Sequence, residues 1–109
     1  MPASAGEQKE SEPDVPVIAV EYTYSSATAA ARDEVRPDHR AWLSGLVDAG
    51  TVLSTGPYAD GSGALILVSA ADENAARALF ESDPFARAGL IDGARFTEWR
   101  PVMGAFVAS

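Results

Sequence analysis

The stretch Ala64-Leu-Ile-Leu-Val-Ser69 is apolar at five successive positions. A strand sends alternate side chains to opposite faces, so such a run must be covered on both sides. It reads as a central strand. Before it stands Tyr58-Ala-Asp-Gly-Ser-Gly63, strong turn chemistry with Asp60-Gly61 as the tip of a hairpin. After it a helix opens at Ser69 or Ala71, with Ser69 and Asp72 at capping-box-like spacing and a narrow apolar stripe of Ala75, Ala76, Leu79 and Phe80.

The remaining elements fall on either side. Pro16 to Tyr24 is dense in β-branched and aromatic residues and predicts a first strand, with Ile18, Val20, Tyr22 and Tyr24 on one face and Val17, Ala19, Glu21 and Thr23 on the other. Ser25 to Arg32 reads as a connection of small residues, either loop or a loosely wound helical lead-in. Pro37 fits the first turn of a helix that runs to about Ala49, with Gly50 as its left-handed terminator. Gly45 inside it costs stability and fits a close approach to a neighbour. Thr51 to Thr55 predicts a short second strand stopped by Gly56-Pro57. Asp83-Pro84 ends the second helix or starts a short turn from Phe85 to Ala88, closed by Gly89, and Ala94 to Trp99 is the last strand.

Strand, helix, strand, strand, helix, strand is the split βαβ order of a ferredoxin-like α+β fold, with a four-stranded antiparallel sheet and both helices on one face. Two helices leave the other face bare. Either Leu65 and Leu67, or Ala64, Ile66 and Val68, then need a different cover. A patch of that size predicts a homodimer packed through the open sheet face.

The 109 residues hold one domain, read as residues 16–109 behind a flexible leader at 1–15 that carries Glu7, Glu10, Glu12 and Asp14 against Lys9. A formal net charge of −8, with arginines read as scattered singly, excludes nucleic acid and an anionic membrane as partners. No cysteine and one histidine exclude disulfides, thiolate catalysis and a cysteine-based zinc site, and leave no metal or other cofactor expected. No apolar run is long enough to span a membrane, and the first residues are not a secretory signal, so the expected compartment is the cytoplasm.

The single histidine, His39, falls among Val35, Trp42, Leu43, Leu46 and Ala49 at three- and four-residue steps, on the apolar side of the first helix. An inward imidazole is either chemistry or a core histidine satisfied by a backbone carbonyl.

Arg36, His39, Leu43, Leu46 and Gly50, then Gly56-Pro57 with Gly61 or Gly63, then Asp83-Pro84-Phe85 and Gly89, together resemble the YciI-like (YCII-related) domain over roughly residues 16–101. The resemblance implies a dimeric α/β-barrel built on a ferredoxin-like fold, similar to that of muconolactone isomerase, with a histidine–aspartate pair in a pocket. Position by position, it gives the histidine's place to His39 and the aspartate's to Asp83. One relative is a dehydrochlorinase of a chlorinated hydroxyquinol; most have no assigned function. The Tyr58–Gly63 loop is shorter here than in many relatives, so substrate identity does not transfer.

A carboxylate hydrogen-bonded to an imidazole fixes its tautomer and makes it a general acid or base. Such a pair suits proton abstraction beside a carbonyl, lactone isomerisation or elimination of HX from a cyclic or aromatic carbonyl compound. A serine triad is the weaker chemistry, since Ser44 is read as facing away from His39 and Ser54 or Thr55 at the strand end is a conceivable nucleophile with no supporting signal. Arg36 can hold an anionic substrate or simply pair with Asp33 or Asp38. Tyr22, Tyr24 and Trp42 either line a pocket for a planar ligand or pack in the core. Gly56 and Pro57 shape the strand exit under the pocket. For Asp83 the plainer role is a cap before Pro84. Two functions follow: a cofactor-free lyase or isomerase using His39 and Asp83 on a small-molecule ligand, or a non-catalytic dimeric ligand-binding or accessory module. The first needs His39 within reach of Asp83 and facing an open cavity.

Overall fold

The computed structural model describes residues 15–107. The expected leader lies outside the described residues except for Val15. The elements are β1 (Val17–Thr23), a 3-10 turn (Ser26–Thr28), α1 (Ala29–Asp48), β2 (Val52–Pro57), β3 (Gly63–Ser69), α2 (Glu73–Phe80), α3 (Pro84–Arg87) and β4 (Gly93–Trp99). They form one four-stranded antiparallel sheet in the order β2-β3-β1-β4. This is the ferredoxin-like α+β fold, with β1 and β3 central.

Alternation decides which face of β3 the helices cover. Ala64, Ile66 and Val68 join Ile18, Val20 and Tyr22 of β1 in a core closed by Leu43 of α1 and Ala76 and Phe80 of α2. Leu65 and Leu67 therefore point to the opposite face, in register with Glu21 and Ala19 of β1. Glu21 on that face takes two hydrogen bonds from Arg95, at 3.0 and 2.8 Å, and one from the Tyr58 hydroxyl at 3.1 Å. These bonds, Arg95 first, hold the Glu21 carboxyl below its usual range.

Three boundaries differ from the sequence reading. The first helix starts well before Pro37, which sits inside α1. Ala29-Ala-Ala are strong helix formers, and Arg32 is tied down by bonds to Thr28 Oγ1 at 2.5 Å and the Ser25 carbonyl at 2.9 Å. That anchored lead-in outweighs the ladder bond Pro37 cannot give. Further on, β2 runs through Gly56-Pro57 rather than stopping before it, pairing them with Leu65 and Ala64. A proline is tolerated there because β2 is an edge strand. Lastly, α2 is capped by Asp72 alone, whose carboxylate accepts from the Ala75 N–H at 2.7 Å.

Other local signals hold. Gly50 has φ +81° and ends α1. The hairpin turns through Asp60-Gly61, with the Gly61 N–H on the Tyr58 carbonyl at 3.0 Å and the Ser62 N–H on the Asp60 carboxylate at 2.9 Å. Ala49, read as part of the apolar stripe, is exposed at the helix end. Among the described residues no helix is long and apolar enough to cross a membrane.

Candidate active site

Asp83 is the most completely buried polar residue described, at 0% exposure. It caps α3, where its Oδ1 accepts from the Phe85 N–H at 2.9 Å. The same oxygen meets His39 Nδ1 at 2.7 Å, and Oδ2 accepts from the Tyr22 hydroxyl at 2.6 Å. Both oxygens of the buried group are thus satisfied, as burial of a carboxylate requires. An ionised carboxylate only accepts; against one, Nδ1 would be the donor and Nε2 would be left for another partner. Burial first, then the bond to Asp83, pushes the Tyr22 phenol far above its ordinary value, which keeps it a neutral donor.

The imidazole is held on its face as well. It stacks on Phe85 with centroids 3.8 Å apart and planes 6° from parallel. Phe85 meets Tyr24 edge-on at 6.0 Å, and Arg36 lies 5.9 Å from the Phe85 ring centre. Burial and then the Asp83 carboxylate raise the Tyr24 phenol, while Arg32 and Arg36 pull it the other way.

His39 is 8% exposed, and what it exposes lines an open pocket of about 440 Å³ between α1, the end of β2 and α3. Arg36, Gly56 and Pro57 line it too. Arg36 also pairs with Asp33, one turn earlier on the helix. Two of the residues read as pocket-lining stand elsewhere. Tyr22 lies beneath the pocket, on the far oxygen of Asp83. Trp42 packs edge-on against Phe80 at 5.1 Å, in the core, because its position on α1 faces α2 rather than β2.

The pocket also holds residues beyond the lining expected from the sequence. Ser44, read as facing away, lines it, as does Thr55. Among the described residues neither hydrogen-bonds His39, whose side-chain partner is Asp83. Arg40 and Phe85 line it as well. Phe85 had a local signal, the backbone N–H two residues after a capping aspartate. Arg40 had a positional one: Arg32, Arg36 and Arg40 recur every four residues and so share one side of α1. Read one at a time they were scattered charges; wound on a helix they form a row. Among the described residues no three histidine, aspartate or glutamate side chains come together as a metal site.

The class is therefore a ferredoxin-like α+β domain with a helix histidine held by a buried aspartate at the wall of a pocket. The chain belongs to the YCII-related domain family, whose model matches residues 17–100. No curated protein matches its sequence. Among solved structures it is similar to the 5-chloro-2-hydroxyhydroquinone dehydrochlorinase of Burkholderia phenoliruptrix AC1100 in complex with 2,5-dihydroxybenzoquinone, with TM-score 0.67, 19% identity, 77% of this chain covered and 93% of that one. It is also similar, with TM-score 0.48 and 15% identity over 84% of this chain and 92% of that one, to a protein of Bacteriodes thetaiotaomicron described as an antibiotic biosynthesis monooxygenase.

Proposed function

We propose that this protein is a cofactor-free small-molecule enzyme of lyase or isomerase type, in which His39 moves a proton on a cyclic or aromatic carbonyl compound. The observation that supports the reading is the 2.7 Å contact of His39 Nδ1 with a fully buried Asp83 beside a pocket that His39 lines; in this reading Nε2 is the proton acceptor. Neutral Nε2 takes a proton from a hydroxyl or from carbon beside a carbonyl. The freed electron pair becomes a new double bond. In isomerisation the imidazolium returns that proton to another carbon of the conjugated anion. In elimination the double bond forms as the bond to halogen on the neighbouring carbon breaks, and HX leaves as halide and the proton held by His39. In both, Asp83 stabilises the imidazolium formed on the way and Phe85 holds its plane. The elimination branch has a precedent in the dehydrochlorinase whose fold this chain shares. The protein is proposed to act as a homodimer through the Leu65 and Leu67 face.

The test is chloride release from 5-chloro-2-hydroxyhydroquinone, run beside deuterium uptake from D₂O into cyclic enols and lactones. Wild type is expected to accelerate one of them and His39→Asn to lose the rate. A wild-type rate that His39→Asn keeps, or no rate on any of them, overturns the reading. The non-catalytic module is favoured by one observation: the His39 side chain is only 10% exposed and fully stacked, as a packed residue would be.

A further inference from the structure

On a chain of formal net charge −8, the pocket at His39 is lined by two arginines, Arg36 and Arg40, and by no carboxylate. The row they belong to is graded. Arg32 is 5% exposed and wholly employed, bonded to Thr28 and to the Ser25 and Leu90 carbonyls, with its guanidinium 4.3 Å over the Tyr24 ring. Arg36 is shared with Asp33, whose side chain is 70% exposed and so screened by water. Arg40, the residue after His39, has no acidic side chain within ion-pair distance among the described residues. Around these charges the lining is mixed, with Leu43, Val47, Pro57 and Phe85 beside the hydroxyl groups of Tyr24, Ser44 and Thr55.

We infer that the pocket selects a small organic anion, its ring or alicyclic body against Val47 and Pro57 and its carboxylate or equivalent single negative charge on Arg40 with help from Arg36. The inference rests on the proposed site and names its substrate class. A planar guanidinium suits a carboxylate, which it can take by two parallel hydrogen bonds. A volume of about 440 Å³ suits a body of one ring. One pocket arginine without an acidic partner among the described residues fits a monoanion rather than a polyphosphate, which would draw on a cluster. The remainder of the chain, being acidic, repels anions elsewhere, so the row on α1 also marks where one is admitted.

Equilibrium binding of 4-hydroxybenzoate and cyclohexanecarboxylate, each against its neutral amide, tests this without requiring turnover. Titration is followed by the amide NMR signals of His39 and Phe85 in wild type, Arg40→Gln and Arg36→Gln. The carboxylates are expected to bind about two- to fivefold tighter than the amides. Arg40→Gln removes most of that preference and leaves amide affinity unchanged; Arg36→Gln removes less. Equal binding of acid and amide, a preference that survives both substitutions, or no binding of any probe overturns the inference. The two readings fail separately. His39→Asn that loses turnover but keeps the acid preference leaves this one standing, and wild-type turnover without acid preference ends this one alone.

Discussion

The Tyr22 hydroxyl donates to Oδ2 of Asp83 at 2.6 Å, on the carboxylate oxygen that His39 does not use. One strand residue and one helix residue thus clamp a single buried carboxylate from two sides. Neither is near the other in sequence, and neither position makes sense without the third group. Asp83 is both the cap of α3 and the joint between the central strand β1 and the long helix.

Tyr22→Phe is expected to cost about 2 kcal/mol, the usual loss when a buried charged acceptor is deprived of its donor. Its pH dependence has a definite sign. The phenol is raised above the 10.0 of a free tyrosine, so the fold favours its neutral form. Its contribution is complete below that value and falls as pH rises above it, because the unfolded chain then loses a proton that the folded one keeps. Urea melts taken at rising alkaline pH should show stability dropping steeply in wild type and less steeply in Tyr22→Phe. Equal slopes would mean that another group governs the alkaline limb.

Trp42 belongs to the core rather than to the pocket, edge-on to Phe80 at 5.1 Å. Trp42→Ala should therefore lower stability by about 2 kcal/mol, less than a fully buried tryptophan would, since this one is only half buried. Affinity for 4-hydroxybenzoate at the pocket should stay within a factor of about two. A chemical-denaturation curve and a binding titration on the same sample separate the two effects.

Gly63 starts β3 where a Cβ would lie 1.8 Å from the Tyr22 carbonyl oxygen, so no side chain fits without backbone movement. Gly63→Ala is expected to cost about 2–3 kcal/mol, as forced overpacking does. The displaced backbone belongs to Tyr22, so the shift should reach the Asp83 joint. Amide NMR shifts confined to the hairpin, with Phe85 unmoved, would show that the two are not coupled.

Much of this was legible because it is local or periodic. The two-residue alternation of Ile18, Val20 and Tyr22 gives the inner face of β1, and the three-and-four spacing around His39 gives the inner side of α1. Gly50 and Asp60-Gly61 place their turns through backbone conformations few other residues take. What stayed hidden was non-local. Forty-four positions separate His39 from Asp83, and nothing in either segment points to the other; only the family resemblance paired them. Tyr22 is visibly inward, but the strand pattern cannot say that a carboxylate waits there. Pro37 misled for the opposite reason, a strong local rule overridden by the alanines before it and the anchored Arg32. Ser44 was misplaced because the angular reading stopped at the apolar stripe, whereas the pocket opens along its edge between α1 and β2.

The central claim is that Asp83 holds His39 as its Nδ1–H tautomer, with Nε2 free at the pocket. The chain has one histidine, so long-range ¹⁵N–¹H NMR of the untagged, ¹⁵N-labelled protein at about pH 8.5, where an ordinary imidazole is neutral, reads that ring alone. The account predicts a protonated Nδ1, an unprotonated Nε2 whose shift moves when 4-hydroxybenzoate is added, and loss of the single tautomer in Asp83→Asn. A protonated Nε2 with bare Nδ1, or an Nε2 that no ligand perturbs while Phe85 responds, would contradict it.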